Sequence, residues 1–577
     1  MIHSNRRQDS DSSTRWDTVL QDEQQFDTRE SFKMRKVASA AQAIVDSLIE
    51  HGVDTIFGIP GVHTYKLFDA LYERRREIRF IGTRHEQGAA YMAYGYAKST
   101  GKVGVYTCVP GPGVLNTTAA LCTAFAANAP VLCLTSEIPA ADIGRGFGIL
   151  HELPDQLATL RSLTKWSQRI DHPTQAPPIL AEAFRQMTSG RPGPVALECP
   201  WDTLSVTALT EMSARASEWE PPPADPIAVE RAAELIRNSR NPLIMVGGGA
   251  VEAAAEIGQL ASRIQAPVTA HRSGRGIVAE DTPYGLGLAA AYKAWLDTDL
   301  LIAIGTRMEL QYLRWRKIPP NLKIVRIDID PREMVRRPCD VGLVTDATLG
   351  VRALNAALAG AEAQHRSRAE EFASLKSQAR TEYESVQPQV AYLDVIRDVL
   401  PRDGFFVEEI CQVGFTARFA LPVYAPRTYV SCGYQDNLGF GFMTALGVKV
   451  ANPTKVVISV CGDGGFMFGV QELATAVQNQ IKLICIVFNN RSFGNVLRDQ
   501  KTAFEGHFIG ESLTNPDFVK LAQSFGATAY RATGPAELKS VLTGALNDGG
   551  PVLIEVPSEP GSEASPWPYL HPWSAGR

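Results

Sequence analysis

The stretch Val456-Val-Ile-Ser-Val-Cys-Gly-Asp463-Gly-Gly465, followed by Leu483-Ile-Cys-Ile-Val-Phe-Asn-Asn490, decides how this chain folds. Each half is a short run rich in β-branched residues that stops at a polar or glycine cluster. A segment of helical length separates the two. That alternation predicts neighbouring parallel strands joined by a crossover helix. Asn490 stands 27 residues past Asp463 (490 − 463), so the two polar clusters are placed at adjoining strand ends. Ligands bind at the carboxyl edge of such a sheet. One carboxylate and one amide oxygen there suit a hard magnesium ion that shares its remaining ligands with phosphates, and glycines let backbone N–H groups approach the same phosphates. A glycine turn after an ordinary strand explains Gly462-Asp463-Gly464 taken alone. The second cluster at the next strand end argues against that.

The same rhythm recurs upstream. A first block carries a helix over Ser39–His51, with Ala41, Ile44, Val45, Leu48 and Ile49 on one face, and strands at Thr55–Gly58, Val103–Cys108, Val131–Thr135 and Pro194–Glu198. A second has strands at Leu243–Val246, Leu300–Ile304 and Ile324–Ile329. The third holds Phe405–Val407, Val456–Cys461, Leu483–Phe488 and Val552–Val556. The expected fold is therefore α/β, with three doubly wound parallel-sheet domains over residues 35–205, 225–360 and 388–560. A proline-rich linker, Glu220–Pro226, and a polar helical segment, Glu362–Gln387, join them. Residues 1–34 are polar and are expected to be a disordered tail. Residues 561–577 carry Trp567, Tyr569 and Trp573 and are expected to fold back over the body.

Gly462-Asp463-Gly464 through Asn489-Asn490 resembles the thiamine-diphosphate signature, and residues 36–557 resemble the acetolactate synthase-like family. The resemblance implies pyrimidine-binding, central Rossmann-like and diphosphate-binding domains in that order. It implies thiamine diphosphate with Mg2+ held by Asp463, Asn490 and the Ser492 carbonyl. Gly462, Gly464, Gly465, Gln412, Phe493 and Gly494 would lie around the diphosphate. Leu438 would be the apolar wedge that bends the cofactor, and the Asp436 carbonyl would receive the aminopyrimidine N–H, at a position where the family commonly has Gly. Arg84-His85-Glu86-Gln87-Gly88 opens a helix, and Glu86 matches the family's acid that bonds N1′ of the pyrimidine. A first-turn acid stabilised by the helix dipole is the plainer explanation for that residue; its pairing with the distant metal motif outweighs it. A buried carboxyl with a raised pKa suits that proton exchange. Pro110-Gly-Pro112-Gly-Val-Leu-Asn116 resembles the glycine loop at the pyrimidine end, which Gly61 would join. In the family the two cofactor-binding domains of a site come from different subunits, which implies a homodimer or homotetramer.

The implied activity is decarboxylation of a 2-oxo acid, with or without carboligation to an aldehyde or ketone acceptor. The alternative is a non-catalytic regulatory or scaffold homologue of the same fold. His63, in Gly58-Ile-Pro-Gly-Val-His63, and His151, in Leu150-His-Glu-Leu-Pro-Asp-Gln156, sit on loops similar to active-site loops of the family and are candidate proton relays. These two stretches look more like a subgroup that includes guanidino-oxopentanoate decarboxylases and cyclohexane-dione hydrolases. Gly247-Gly248-Gly249, Gly305-Thr306-Arg307 and Ile327-Asp328-Ile329-Asp330 resemble the family's flavin or nucleotide site, which leaves FAD open. A tight strand-to-helix turn explains the glycines equally well. No GxGxxG follows Leu243–Val246, which argues against a nucleotide-dependent oxidoreductase.

Composition narrows the partners. A formal net charge of −5 offers no polyanion-binding surface, so nucleic acid is excluded as a partner. No apolar run reaches the roughly 18 residues of a spanning helix, so no membrane association is expected. Nine cysteines without a CxxC pair suit a reducing compartment and place the protein in the cytoplasm.

Overall fold

The strand Val457–Gly462 runs between Phe405–Val407 and Ile484–Asn489, all three parallel. The computed structural model describes residues 35–211, 219–360 and 366–572. The expectation for 1–34, and for Trp573, lies outside them. Three parallel sheets dominate the described residues. The first block's six strands lie in the order Arg79–Gly82, Thr55–Gly58, Gly104–Cys108, Val131–Glu137, Val195–Pro200, Trp166–Arg169. The third block's lie in the order Tyr429–Val430, Phe405–Val407, Val457–Gly462, Ile484–Asn489, Val552–Pro557, Thr528–Arg531. Numbered within its own block, each sheet reads 2-1-3-4-6-5, so the two outer blocks share one topology. The central sheet has five strands in the order 2-1-3-4-5. In all three, the strand order reverses between strands 1 and 3, the place at whose carboxyl ends such sheets bind ligands.

Every strand of these sheets that the sequence reading missed is an edge strand: Arg79–Gly82, Trp166–Arg169, Val268–Ala270, Val341–Val344, Tyr429–Val430 and Thr528–Arg531. An edge strand is short and half solvated, so it lacks the continuous apolar run of a strand buried on both faces. The two-stranded antiparallel ribbon of Arg35–Ser39 with Thr207–Glu211 was missed for the same reason. The linker ends earlier than the sequence suggests. Pro226 is the first residue of the helix Pro226–Asn238, whose N-cap Asp225 accepts from the Ile227 N–H.

The helix Ala40–Glu50 starts from a full capping box of Ser39 and Gln42. The helix Glu86–Thr100 begins at His85, whose Nδ1 accepts the Gln87 N–H, and ends at Gly101 with φ 78°. It is buried on nearly all sides because it crosses the helix Phe440–Ala451 of the third block. The crossing needs bare backbone. A Cβ on Gly95 would stand 2.1 Å from the Thr444 carbonyl oxygen, and one on Gly447 would stand 2.0 Å from that of Met92. Tyr91, Met92, Tyr94, Phe440, Phe442 and Leu446 fill the space around it, so one apolar core spans the first and third blocks. A second core joins the central and third blocks around Trp295, Trp315, Phe372 and Phe419.

Candidate functional site

The third block's crevice is a cavity of about 190 Å³. It is lined by Gln412, Leu438, Gly462, Asp463, Gly464, Gly465, Asn490, Ser492, Phe493 and Gly494, residues that sequence reasoning had gathered from five separate stretches. Asp463 follows strand 3 and is 2% exposed. Burial raises its carboxyl above the usual carboxylate range, and the Asn515 amide, 2.6 Å from Oδ2, works in the opposite direction. Asn515 also donates to Asn489 Oδ1 at 3.0 Å, so it ties the two strand ends together. Asn490 Oδ1 accepts from the Ser492 N–H and hydroxyl at 3.1 and 3.2 Å. Gln412 follows strand 1, and its Oε1 accepts from Arg498 at 3.0 Å. A Cβ on Gly464 would lie 2.5 Å from the Phe493 ring and one on Gly465 would lie 3.2 Å from Glu409, so only glycine leaves this floor open. Among the described residues no three His, Cys, Asp or Glu side chains form a metal cage. One buried carboxylate, one amide oxygen and bare backbone form a donor set that fits magnesium diphosphate.

The first block builds a second cluster at its own strand reversal. Gly61 and Thr64 close a turn after strand 1, with the Thr64 hydroxyl donating to the Gly61 carbonyl at 2.8 Å. Pro112 opens the short helix Pro112–Asn116 after strand 3, and Asn116 Nδ2 donates to Glu86 Oε2 at 3.0 Å. His63 and His151 meet edge to face with ring centroids 5.4 Å apart, and Trp201 packs on His63 at 5.5 Å. His63 is 3% exposed, and its Nε2 lies 2.9 Å from the Leu150 carbonyl oxygen. Both histidines have positive φ, 75° and 71°, which strains a residue with a Cβ. The buried Nδ1 of each has no protein partner among the described residues. Burial and then His63 hold His151 below its ordinary pKa, while Glu86 opposes them. Two strained histidines with idle ring nitrogens beside a carboxylate form a proton-handling constellation. Glu86 itself is half-buried, less than the sequence reading expected. None of Gly61, Glu86, Pro112 or Asn116 lines the diphosphate crevice of the same chain.

Other supports were not legible in advance. Gln156 sits inside a quoted motif, yet its role depends on contacts far along the chain. Its Oε1 accepts the Gly111 N–H at 2.9 Å, and its Nε2 donates to Glu198 and to the Ser136 carbonyl at 2.9 and 3.0 Å. Glu472, of the third block, accepts the Arg84 and His85 N–H groups at 2.9 to 3.2 Å and so fixes the start of the helix that bears Glu86. Glu409 lies under Gly465. Burial pushes its carboxyl up to about 7, and it accepts the Gly441 N–H at 2.7 Å.

Asp436 has φ 44°, a region that aspartate tolerates better than most residues. Its side chain turns away from the crevice. Oδ1 accepts from Arg272 of the central block and from Arg418, both at 2.8 Å. The two guanidinium groups hold its carboxyl well below the usual carboxylate range, against the effect of burial. Asp436→Asn keeps the shape and removes the charge. Its expected cost is about 2 kcal/mol in denaturant unfolding, below the ~3–5 kcal/mol of a fully buried pair because this side chain is 33% exposed. The cost is fully present above about pH 4 and fades as pH falls, since a depressed carboxylate contributes only while it is ionised.

The central crevice is a cavity of about 440 Å³ lined by Gly248, Gly249, Thr306, Arg307, Asp328 and Ile329, together with Lys98, Arg191 and Arg427. Gly247 and Gly305 meet backbone to backbone, and the Gly249 N–H donates to the Gly305 carbonyl at 3.2 Å. Burial lowers the Lys98 ammonium to about 8.

Among the described residues no helix is long and apolar enough to cross a membrane. All nine cysteines are free thiols.

Comparison with known proteins accounts for all three blocks. The N-terminal TPP binding domain of the thiamine pyrophosphate enzymes matches residues 38–159, their central domain matches 229–354, and their C-terminal TPP binding domain matches 410–556. The chain is 33% identical to a probable 2-ketoarginine decarboxylase, AruI, of Pseudomonas aeruginosa, over 90% of this chain and 94% of that one. It is 34% identical to a probable acetolactate synthase large subunit of Methanocaldococcus jannaschii, over 91% and 93%. With the acetolactate synthase isozyme 2 large subunit of Escherichia coli the identity is 30%, over 92% and 98%. With its three-domain order, its paired outer sheets and a crevice suited to magnesium diphosphate, the chain belongs to the thiamine pyrophosphate enzyme family.

Proposed function

We propose that this protein is a thiamine-diphosphate-dependent enzyme that breaks the bond between the carboxylate and the carbonyl carbon of a 2-oxo acid. Release of carbon dioxide is followed by protonation or by ligation to an aldehyde or ketone acceptor. The observation that carries this reading is the convergence of Asp463, Asn490 and Ser492 with bare glycine backbone at the sheet's strand reversal. When bound, the cofactor supplies an electron sink for the carbon whose bond breaks.

Asp463, Asn490 Oδ1 and the Ser492 carbonyl would hold the magnesium ion. Gly462, Gly464, Gly465, Gln412, Phe493 and Gly494 would line the diphosphate, and Leu438 would be the apolar wedge against the cofactor. The Asp436 carbonyl, Gly61, Pro112 and Asn116 serve the pyrimidine end. Glu86, steadied by Asn116, would hold or release a proton at its carboxyl oxygen at the pyrimidine end of the cofactor. His63 and His151 move protons at the substrate side through their idle ring nitrogens. A homodimer, or a homotetramer built from it, completes each site by bringing the first block of one chain to the third block of another. Leu115, Phe147, Leu150 and Val62 lie on or beside the first block's loops with more than a third of their surface exposed, an apolar face suited to such a partner. The central crevice suits a nucleotide, FAD included, and a yellow purified protein is its simplest sign. Nine free thiols fit a cytoplasmic setting.

The test is a panel of 2-oxo acids with and without acceptor aldehydes, assayed for carbon dioxide and ligated product. It begins with 2-ketoarginine, the substrate in the name of the Pseudomonas relative, and with pyruvate. Turnover of at least one acid, dependent on added thiamine diphosphate and Mg2+, is expected. His63→Ala and His151→Ala are expected to lower that turnover by about 10²-fold or more. No carbon dioxide from any acid, with the cofactor demonstrably bound, overturns the assignment.

A further inference from the structure

The carboxylate of Glu563 enters the diphosphate crevice from the C-terminal segment, beyond the third sheet. Its two oxygens lie 3.2 and 3.1 Å from Asn490 Nδ2. The segment around it is pinned on several sides. The Ser558 N–H donates to the Asn489 carbonyl at 2.9 Å, the Ala564 N–H donates to the Gln387 carbonyl at 3.1 Å, and Gln389 Nε2 donates to the Ala564 carbonyl at 2.6 Å. Trp567 Nε1 donates to Asn495 at 3.0 Å, and its ring packs on Phe415 at 5.2 Å. Glu563 is therefore held in place by the strap that carries it.

Asn490 has a donor end and an acceptor end, and only the acceptor end can bind a cation. An ionised carboxylate accepts only, so Glu563 can face Nδ2 and not Oδ1. On the opposite side the Ser492 backbone N–H donates only, so it can face Oδ1 and not Nδ2. These two contacts select the same amide orientation from opposite ends. Without Glu563, one backbone N–H is left to oppose a flip that would turn an NH2 group toward the cation. Outer partners that orient metal ligands commonly carry this weight.

We propose that Glu563 is a positioning residue, which fixes the Asn490 amide with its oxygen toward the divalent cation and so makes the C-terminal strap part of the metal site. The proposal rests on the assignment of Asp463 and Asn490 as cation ligands. Glu563 acts through Asn490, with which both its oxygens make contact.

The test is Mn2+ binding to the full-length protein with thiamine diphosphate present, followed by electron paramagnetic resonance, with Asp463→Ala as the control for the site itself. Glu563→Ala is expected to weaken Mn2+ binding about 10- to 100-fold. Glu563→Gln is expected to lose nearly as much, because its amide can accept from Asn490 Nδ2 or donate to a turned Oδ1 and so selects neither orientation. The thermal midpoint of the cofactor-free protein is expected to be unchanged in both. Wild-type affinity in Glu563→Ala overturns the proposal. Wild-type affinity in Glu563→Gln also overturns it, since a side chain that both donates and accepts cannot fix the amide orientation. Undiminished binding in Asp463→Ala overturns the ligand assignment instead.

Discussion

Glu86→Gln lowers turnover by about 10²- to 10⁴-fold, the range typical of a positioned proton-transfer group, while thiamine diphosphate still binds. Its neighbours set that expectation. Asn116 Nδ2 donates to a Glu86 oxygen, and a glutamine oxygen accepts the same bond, so the side chain keeps its place and loses only its exchangeable proton. Glu472 holds the helix start through the Arg84 and His85 N–H groups, which do not depend on the residue at position 86. Steady-state assays with any accepted 2-oxo acid, beside a cofactor titration by fluorescence, separate the two quantities. Normal turnover in this variant removes Glu86 from the mechanism.

Asp463→Ala weakens magnesium-dependent cofactor binding by well over the ~10–100-fold lost with an outer partner of a metal site, because it removes the carboxylate proposed as a direct ligand, whereas Glu563, the other carboxylate lining the crevice, faces the Asn490 amide nitrogen. Isothermal titration with Mg2+ and thiamine diphosphate measures this, and unchanged affinity refutes the site. The two variants also test the subunit arrangement. In a dimer whose sites each draw Glu86 from one chain and Asp463 from the other, mixing the two inactive proteins places both lesions in one site and leaves the other intact. Random subunit exchange then restores roughly a quarter of wild-type activity. Sites contained within one chain stay inactive after mixing.

The two variants differ in how far their residues were legible. The proposed metal side was readable because its motifs are local. Gly462-Asp463-Gly464-Gly465 and Asn489-Asn490 each follow a buried strand, and such a strand announces itself as a continuous apolar run. The structure places both at one crevice, with Gln412 and Leu438 beside them. Glu86, His63 and His151 were readable as motifs, and the structure brings them together with Asn116 and Trp201. Asp436 was legible as an oddity whose cause was not, because its two arginine partners lie 164 and 18 residues away in the chain. Glu472 and Glu563 gave no local signal at all. Each acts on residues 388 and 73 positions distant, through hydrogen bonds that no periodicity records.

The sequence by itself determined the three α/β blocks, their buried strands, and the residue types able to hold magnesium diphosphate, because apolar period and strand-end chemistry are written over a few neighbouring residues. Only the tertiary structure decided that the two outer sheets share one topology, that the crevices of the central and third blocks fall at the same strand reversal, and that the helices Glu86–Thr100 and Phe440–Ala451 cross in backbone contact at Gly95 and Gly447. It also decided which carboxylates stand behind the ligands. The physical reason is that strand order, close packing and buried ion pairs depend on which distant segments meet, and the chain writes that only in three dimensions.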